Sequence, residues 1–437
     1  MNTYIFINFL TIVLGIFFFI NQKVFKKNLG LPCAASGIAV ILSWLINQES
    51  MPYDVKFILY GFLIYISICL VFTLIAKNKD YTGLFYALLS FYPSYVALVE
   101  DSLFLKLIAF DLLIIISVAG SFLSKKYEEK RNVLISEVLF SIFSWFSCWC
   151  FYLATENLSL TNFVVINQPL YLFSIGIILL RLFRFFSLFP FDGIAHFNIE
   201  TKNIFSTLNY FFIYLIIMSY ATIKILQILL IQLSPSLQSG LEVFSSTLLV
   251  LGTFHSVLKI FGTTRLIDKI KSFISLLWTP FLLAIWIDDA GGHSGALVFS
   301  MLLTFLTGMS FLALSFQKSE SFNLRKDIEQ EPFFSICFLV VTMTVLGMPS
   351  LGPMFYRAIF FKHLISFSEI SLLIYLIMCS TFCGGFIFLS YFKQGKRSGK
   401  RFEESTFDRF LYGFITLFFL GVGFFSLDEI STFLGIK

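Results

Sequence analysis

Long apolar stretches separated by short polar breaks run through this 437-residue sequence. Many of them reach the roughly 18 to 20 residues that a helix needs to cross a bilayer. Dividing the sequence at its polar breaks predicts about fourteen membrane-spanning helices, and hence an all-α polytopic membrane protein. The predicted spans are residues 4–20, 29–47, 55–76, 81–99, 103–124, 133–154, 165–190, 203–233, 241–262, 269–287, 294–316, 333–361, 367–392 and 409–426.

The composition excludes a water-soluble globular protein. Hydrophobic residues make up 58% of the chain and charged residues 13%, which is about half the charged fraction of a soluble domain. The seven cysteines lie mostly in apolar stretches without a paired metal-ligand spacing, so we expect small buried apolar residues there. The lipid bilayer is an expected partner, and nucleic acid is not.

Basic and acidic residues alternate between successive loops, which supports the number of spans independently. For example, Lys23, Lys26 and Lys27 follow the first span, whereas Glu49 and Asp54 follow the second. Because positively charged loops stay on the cytoplasmic or matrix side, both termini are expected on the periplasmic or intermembrane side. The pattern fits a bacterial inner membrane or a mitochondrial inner membrane.

Two predicted spans contain helix-breaking residues. The seventh contains Pro190, and the twelfth contains Gly347, Pro349 and Pro353. Proline removes a backbone donor and clashes with the preceding turn, so both helices are expected to be discontinuous. Such breaks at membrane depth are tolerated only where protein or a hydrated cavity covers them, as at the binding sites of transporters.

The spacing of the two breaks predicts the organisation of the chain. They are five spans apart, which two five-helix repeats of opposite orientation would produce. We therefore expect residues 1–437 to form a single membrane domain. In it, leading helices occupy 1–80, the first repeat 81–233, the inverted second repeat 241–392 and a final helix 409–426.

Seven ionisable residues inside predicted spans are candidates for an ion pathway: Asp111, Glu137, Arg181, Arg184, His255, Lys259 and Arg357. A charge at the bilayer centre costs about 2.5–3.5 kcal/mol on insertion scales, so it needs a partner, water or a function. Asp111 and Arg357 lie deepest. For His255 the alternatives are proton relay and packing. For Glu137 an interfacial position is the preferred interpretation, and for Lys259 it is extension toward the positive loop.

Four motifs occur in an order and spacing that match a known family across roughly residues 80–395. They are EDSLFLKLIAFDLL at Glu100–Leu113, FPFDG at Phe189–Gly193, TRLIDKIKSFIS at Thr264–Ser275 and GMPSLGPMFYR at Gly347–Arg357. Together with the span count, this ordered set resembles the antiporter-like membrane subunits of proton-translocating NADH–quinone oxidoreductase, respiratory complex I.

The resemblance implies roles for two residues. Asp111 takes the place of the family's essential acid, which is usually glutamate, and Arg357 takes the place of its twelfth-helix lysine. A basic residue there is most similar to the N-type (chain 2) member. Arginine stays charged in proteins, so Arg357 can order water or hold a counter-charge but cannot release a proton.

Three other family lysines are missing. The sixth-helix lysine falls on Ser136, beside Glu137, and the seventh-helix lysine falls on Phe185, beside Arg184. The neighbours are expected to substitute, since a one-residue offset turns a side chain by about 100° and a long arginine partly compensates. The eighth-helix lysine falls within Tyr214–Ile216, where nothing titrates near neutral pH and no replacement is evident.

The resemblance also implies partners and leaves alternatives open. It implies no cofactor and no redox centre on this chain, with NADH, FMN, iron–sulfur clusters and quinone on partner subunits and other membrane-arm subunits as neighbours. The expected function is to move protons, or to support their movement, in such an assembly. The alternatives are a subunit of a multi-subunit cation/proton antiporter and a structural paralogue that no longer pumps.

Overall fold

A computed structural model describes residues 51–52, 54–63, 66, 82–122, 127–185, 212–262, 272, 275–286, 297–298 and 301–302. The chain divides into two compact units. In the described part, the first unit holds the residues up to 232 and the second those from 233 onward. The secondary structure described is helical, apart from one isolated β-bridge in the first unit.

The first unit is built from helices that agree with the predicted spans. After a helical segment at 54–63 come α1 (Thr82–Val99), α2 (Leu103–Phe122), α3 (Tyr127–Thr155) and α4 (Gln168–Phe185). A π-helix at Phe212–Met218 then continues into α5 (Ser219–Ile231). The second unit contains α6 (Pro235–Gly262) and a 3₁₀ helix at Thr279–Trp286.

Three described stretches are long and apolar enough to cross a membrane: Glu137–Thr155, Gln168–Phe185 and Pro235–Lys259. Helix α3, which contains the first of these stretches, has an exposed apolar face. Large apolar side chains at three- and four-residue spacing are exposed along one face, including Ile142, Phe146 and Trp149. Such a face suits lipid. The protein is therefore an integral membrane protein.

Two helical hairpins, α1–α2 and α3–α4, are joined at one end through their loops. The backbone N–H of Leu103 donates to the carbonyl of Leu158 at 3.0 Å, and that of Leu160 donates to the carbonyl of Asp101 at 2.9 Å. Ser102 and Ser159 form an antiparallel bridge between these bonds. This backbone pairing fixes the position of α2 relative to α3.

The buried side chain of Lys106 donates hydrogen bonds to carbonyls in the last turn of α1. Its Nζ donates to the carbonyls of Ala97 at 2.8 Å and Leu98 at 3.3 Å. The last carbonyls of a helix have no partner within that helix. Lys106 therefore serves α1 rather than pairing with Asp111, one and a half turns away on its own helix.

We expect Lys106→Met to lower the free energy of unfolding by about 1–3 kcal/mol, because buried carbonyls lose their donor. Lys106→Arg retains charge and donors and is the matched control. Thermal unfolding of the purified protein in detergent measures both. A Met variant as stable as wild type would show that these hydrogen bonds contribute nothing to stability.

The eighth predicted span, 203–233, differs locally from a regular α-helix. Its described part begins with the π-helix, which contacts α1, α2 and α4. Two hydroxyls bond to carbonyls four residues earlier: Ser219 Oγ to Leu215, and Thr222 Oγ1 to Met218 at 2.7 Å. A π-turn widens the helix by one residue per turn and frequently occurs at functional sites.

Candidate functional site

Asp111 lies at the centre of a polar cluster between α2, α3 and α4. Its Oδ1 accepts a hydrogen bond from Ser141 Oγ at 2.7 Å, and its Oδ2 accepts one from Trp145 Nε1 at 2.7 Å. The Nη2 of Arg181 is 4.0 Å from Oδ1. Both oxygens are thus held by donors from α3 while a cation from α4 lies beside them.

Arg181 is buried among aromatic rings beside Asp111. Its guanidinium carbon is 4.8 Å from the ring centroid of Phe110 and 5.6 Å from that of Phe185. A guanidinium over an aromatic face gains cation–π attraction, which is larger where water is excluded. The two rings, 6.4 Å apart edge to face, therefore hold Arg181 in place.

A buried ion pair also lies between α3 and α4. Arg184 Nη2 donates to Glu137 Oε1 at 2.8 Å, with 5% and 2% of the two side chains exposed. The guanidinium carbon of Arg184 is 4.3 Å from the centroid of Phe140. The positive charge of Arg181 also acts on Glu137. Two acids and two arginines are therefore electrostatically linked.

Helix periodicity explains why these groups meet. Glu137, Ser141 and Trp145 are spaced by four residues and share one face of α3, while Arg181 and Arg184 are spaced by three on α4. One helical turn, about 6 Å along α3, separates Glu137 from the Ser141 that holds Asp111. We call these residues together with Asp111 the charged row.

The charged row has a definite chemical capacity. Asp111 and Glu137 have carboxyl groups that can accept and release protons, whereas arginine remains charged in proteins. Arg181 and Arg184 consequently act as permanent counter-charges. Any exchangeable proton in the row therefore binds to a carboxyl group. The carboxyl group of Asp111 is the one that accepts hydrogen bonds from Ser141 and Trp145.

Four of the seven candidate residues from the sequence are brought together: Asp111, Glu137, Arg181 and Arg184. Glu137 is buried against Arg184, which donates a hydrogen bond to it. His255 and Lys259 lie four residues apart on α6, in the second unit, and both are partly exposed.

Several candidates fall outside the described residues. They are Arg357 and the proposed helix breaks at Pro190, Gly347, Pro349 and Pro353.

Sequence reasoning missed two groups. Ser141 and Trp145 follow Glu137 at helical spacing, which was a usable signal, although both residue types are ordinary in membrane helices. The second group joins Asp54 to Tyr220 and Lys224 on α5, and no local pattern indicates it.

Among the described residues, the cysteines and the other side chains that could bind a metal lie as follows. Cys148 and Cys150 are buried free thiols on α3, as expected of small apolar residues. Among the residues that the structure describes, no group of three or more His, Cys, Asp or Glu side chains is placed to hold a metal ion.

Trp145→Phe is expected to lower the free energy of unfolding by about 1.5–3 kcal/mol, since the hydrogen bond to the Asp111 carboxylate is lost. The ring can still meet Phe104, 5.3 Å away edge to face. Trp149→Phe, at a position 63% exposed on the same helix, is the matched control. Thermal unfolding in detergent compares the two, and equal stabilities would contradict the bond's contribution.

Comparison with known proteins gives the fold. No protein-family model and no curated protein sequence matches this chain. Among solved structures, it is similar to a chain of respiratory complex I from Thermus thermophilus with a TM-score of 0.72 and 16% identity. That alignment covers 95% of this chain and 96% of the other.

Two further structures extend the likeness. A chain of the membrane-bound sulfane sulfur reductase (MBS), an archaeal respiratory membrane complex, aligns with a TM-score of 0.75 and 14% identity over 100% of this chain and 96% of that one. A chain of the Mrp complex from Dietzia sp. DQ12-45-1b aligns with a TM-score of 0.68 and 10% identity over 91% and 81%. This protein therefore has the polytopic membrane fold shared by subunits of these respiratory and Mrp complexes.

Proposed function

We propose that this chain is an antiporter-like, proton-translocating membrane subunit of a complex I type assembly, where it moves protons or supports their movement. The observation that carries the proposal is the charged row, in which the buried carboxyl group of Glu137 and the partly exposed one of Asp111 each lie beside a buried arginine, between apolar helices. Ionisable groups within membrane-spanning helices usually mark ion pathways. The fold likeness to complex I supports the same assignment.

The proposal extends the charged row into a path along the membrane. It takes about fourteen spans arranged as two inverted five-helix repeats, over 81–233 and 241–392, with breaks at Pro190 and Pro349. In the second repeat, His255, Lys259 and Arg357 would continue the line of titratable and charged groups. Asp111 would be its first protonatable member.

Partner subunits complete the proposed function. NADH, FMN, iron–sulfur clusters and quinone would bind to other chains of the assembly, and neighbouring membrane-arm subunits would contact this one. Both termini would face the periplasmic or intermembrane side. Energy released on those partners would reach the charged row through conformational or electrostatic coupling rather than through a redox centre here.

A second candidate is a subunit of a multi-subunit cation/proton antiporter that works without NADH chemistry. The fold likeness to a chain of the Mrp complex supports it. A third, a structural paralogue that no longer pumps, is supported by the absence at Tyr214–Ile216 of a residue that titrates near neutral pH.

Purification from native membranes tests the proposal. We expect the tagged chain to co-migrate with NADH-oxidising subunits and the purified assembly to drive proton uptake into vesicles when NADH is added. Isolation with small antiporter subunits would exclude the complex I assignment. A flux unaffected by neutralising Asp111 would support the non-pumping paralogue.

A further inference from the structure

A further ion pair, partly exposed, lies outside the charged row, between the helical segment at 54–63 and α5. Lys224 Nζ is 3.5 Å from Asp54 Oδ2, with 19% and 12% of the two side chains exposed. The phenol of Tyr220 donates a hydrogen bond to the same oxygen. The ammonium of Lys224 is also 5.6 Å from the ring centroid of Tyr220. Two donors therefore converge on one carboxylate oxygen.

This site differs chemically from the charged row in its basic residue, which is lysine rather than arginine. The row uses Arg181 and Arg184, which keep their protons, whereas a lysine ammonium can become a neutral amine in a protein interior. Lys106, the buried lysine of α2, is bound to the carbonyls of α1. Lys224 instead meets a carboxylate, which can take up the proton that it releases.

The position of Lys224 relates it to the charged row. It lies eight residues beyond Ile216, on the helix that continues from the π-turn. That π-turn contacts α2 and α4, the helices that carry Asp111 and the two arginines. Lys224 therefore belongs to the same packed unit as the charged row.

We propose that Asp54, Tyr220 and Lys224 form a second proton-exchange site, in which Lys224 supplies the releasable proton that the arginines of the charged row cannot supply. This inference rests on the proposed function. In the transfer, the N–H bond of the Lys224 ammonium breaks and an O–H bond forms at Asp54 Oδ2, leaving a neutral amine and a neutral acid. Asp54 then gives its proton to water, and the amine takes up a proton arriving along the path.

Tyr220 positions the acceptor in this step. It is 1% exposed, and its phenol holds Asp54 Oδ2 beside the ammonium. Since Tyr220 and Lys224 are four residues apart on α5, one helix face supplies both donors. Asp54, the first residue of the helical segment at 54–63 and 12% exposed, would connect the site to the aqueous side.

The rival explanation is a structural clamp between two helices. A clamp needs a positive charge near Asp54 but no proton release, and arginine meets that need as well as lysine does. Lys224→Arg therefore separates the two explanations. Lys106→Arg is the matched control, because Lys106 is a buried lysine to which we assign only hydrogen bonds.

The experiment measures proton flux by the whole purified assembly in vesicles, together with its thermal unfolding midpoint. We expect Lys224→Arg to assemble with a nearly unchanged midpoint and to lose flux at least about tenfold, in the range of a lost acid–base group. Lys106→Arg is expected to retain flux. Wild-type flux in Lys224→Arg would overturn the proposal.

Asp54→Asn is the second variant, which removes the proton acceptor with little change of shape. We expect a similar loss of flux, and unchanged flux would overturn the proposal. If neither variant assembled, the pair would be a structural clamp and the proposal would be wrong. Flux that survives Lys224→Arg but not Asp111→Asn rejects this site alone, whereas no flux from the wild-type assembly rejects the proposed function.

Discussion

Asp111→Asn is expected to reduce proton flux through the assembled protein by about 100-fold, in the range of a lost acid–base group. Asparagine preserves the shape of the side chain: its amide oxygen can accept the hydrogen bond from Trp145 Nε1, and its amide nitrogen can donate one to Ser141 Oγ. It cannot bind and release a proton. The variant therefore tests proton transfer while altering the packing little.

Two comparisons make the test specific. Asp111→Glu restores a carboxyl group one methylene longer and should recover a large part of the flux. Asp101→Asn neutralises an exposed acid in the loop before α2 and should leave flux unchanged. The measurement is the initial rate of proton uptake into vesicles at equal protein content. Equal rates for wild type and Asp111→Asn would place Asp111 off the proton path.

Arg184→Met is expected to lower the free energy of unfolding by about 3–5 kcal/mol, the usual cost of leaving a buried charge without its partner. Glu137, 2% exposed, would lose a charge-assisted hydrogen bond of 2.8 Å. Methionine keeps much of the length and can still pack against Phe140. The loss therefore reports the charge pair rather than a cavity.

The double variant Glu137→Gln/Arg184→Met separates the ion pair from packing. Removing both charges avoids an isolated buried carboxylate, so we expect it to recover most of the lost stability. Arg184→Lys should fall between wild type and Arg184→Met. Thermal unfolding in detergent gives the order of the four proteins, and a double variant less stable than Arg184→Met would contradict the pair's role.

The helices of the first unit could be predicted closely from sequence. The span at 103–124 corresponds to Leu103–Phe122 and the span at 81–99 to Thr82–Val99. Apolar runs bounded by polar residues are sufficient to locate these helices. Bilayer thickness sets the length of each span, and the cost of unpaired backbone groups in lipid excludes irregular structure there. Asp111 also followed from sequence, since a lone acid in such a run requires an explanation.

The partners of the charges could not be predicted in the same way. Arg184 meets Glu137 across 47 positions, and Tyr220 meets Asp54 across 166. Such pairs depend on which helix faces pack together, and a helix that is apolar on most sides does not indicate its contact face. The π-turn at Phe212–Met218 was hidden for a related reason, because a uniformly apolar segment has no periodicity to distinguish it.

The two arginines of the charged row limit the number of protons that its carboxyl groups can bind. With both carboxyls ionised, Arg181 and Arg184 balance Asp111 and Glu137, and the net charge is zero. Binding one proton leaves an excess positive charge in a low-dielectric interior, which opposes binding of a second. We therefore expect the row to fill with one proton at a time, so that each must leave before the next arrives.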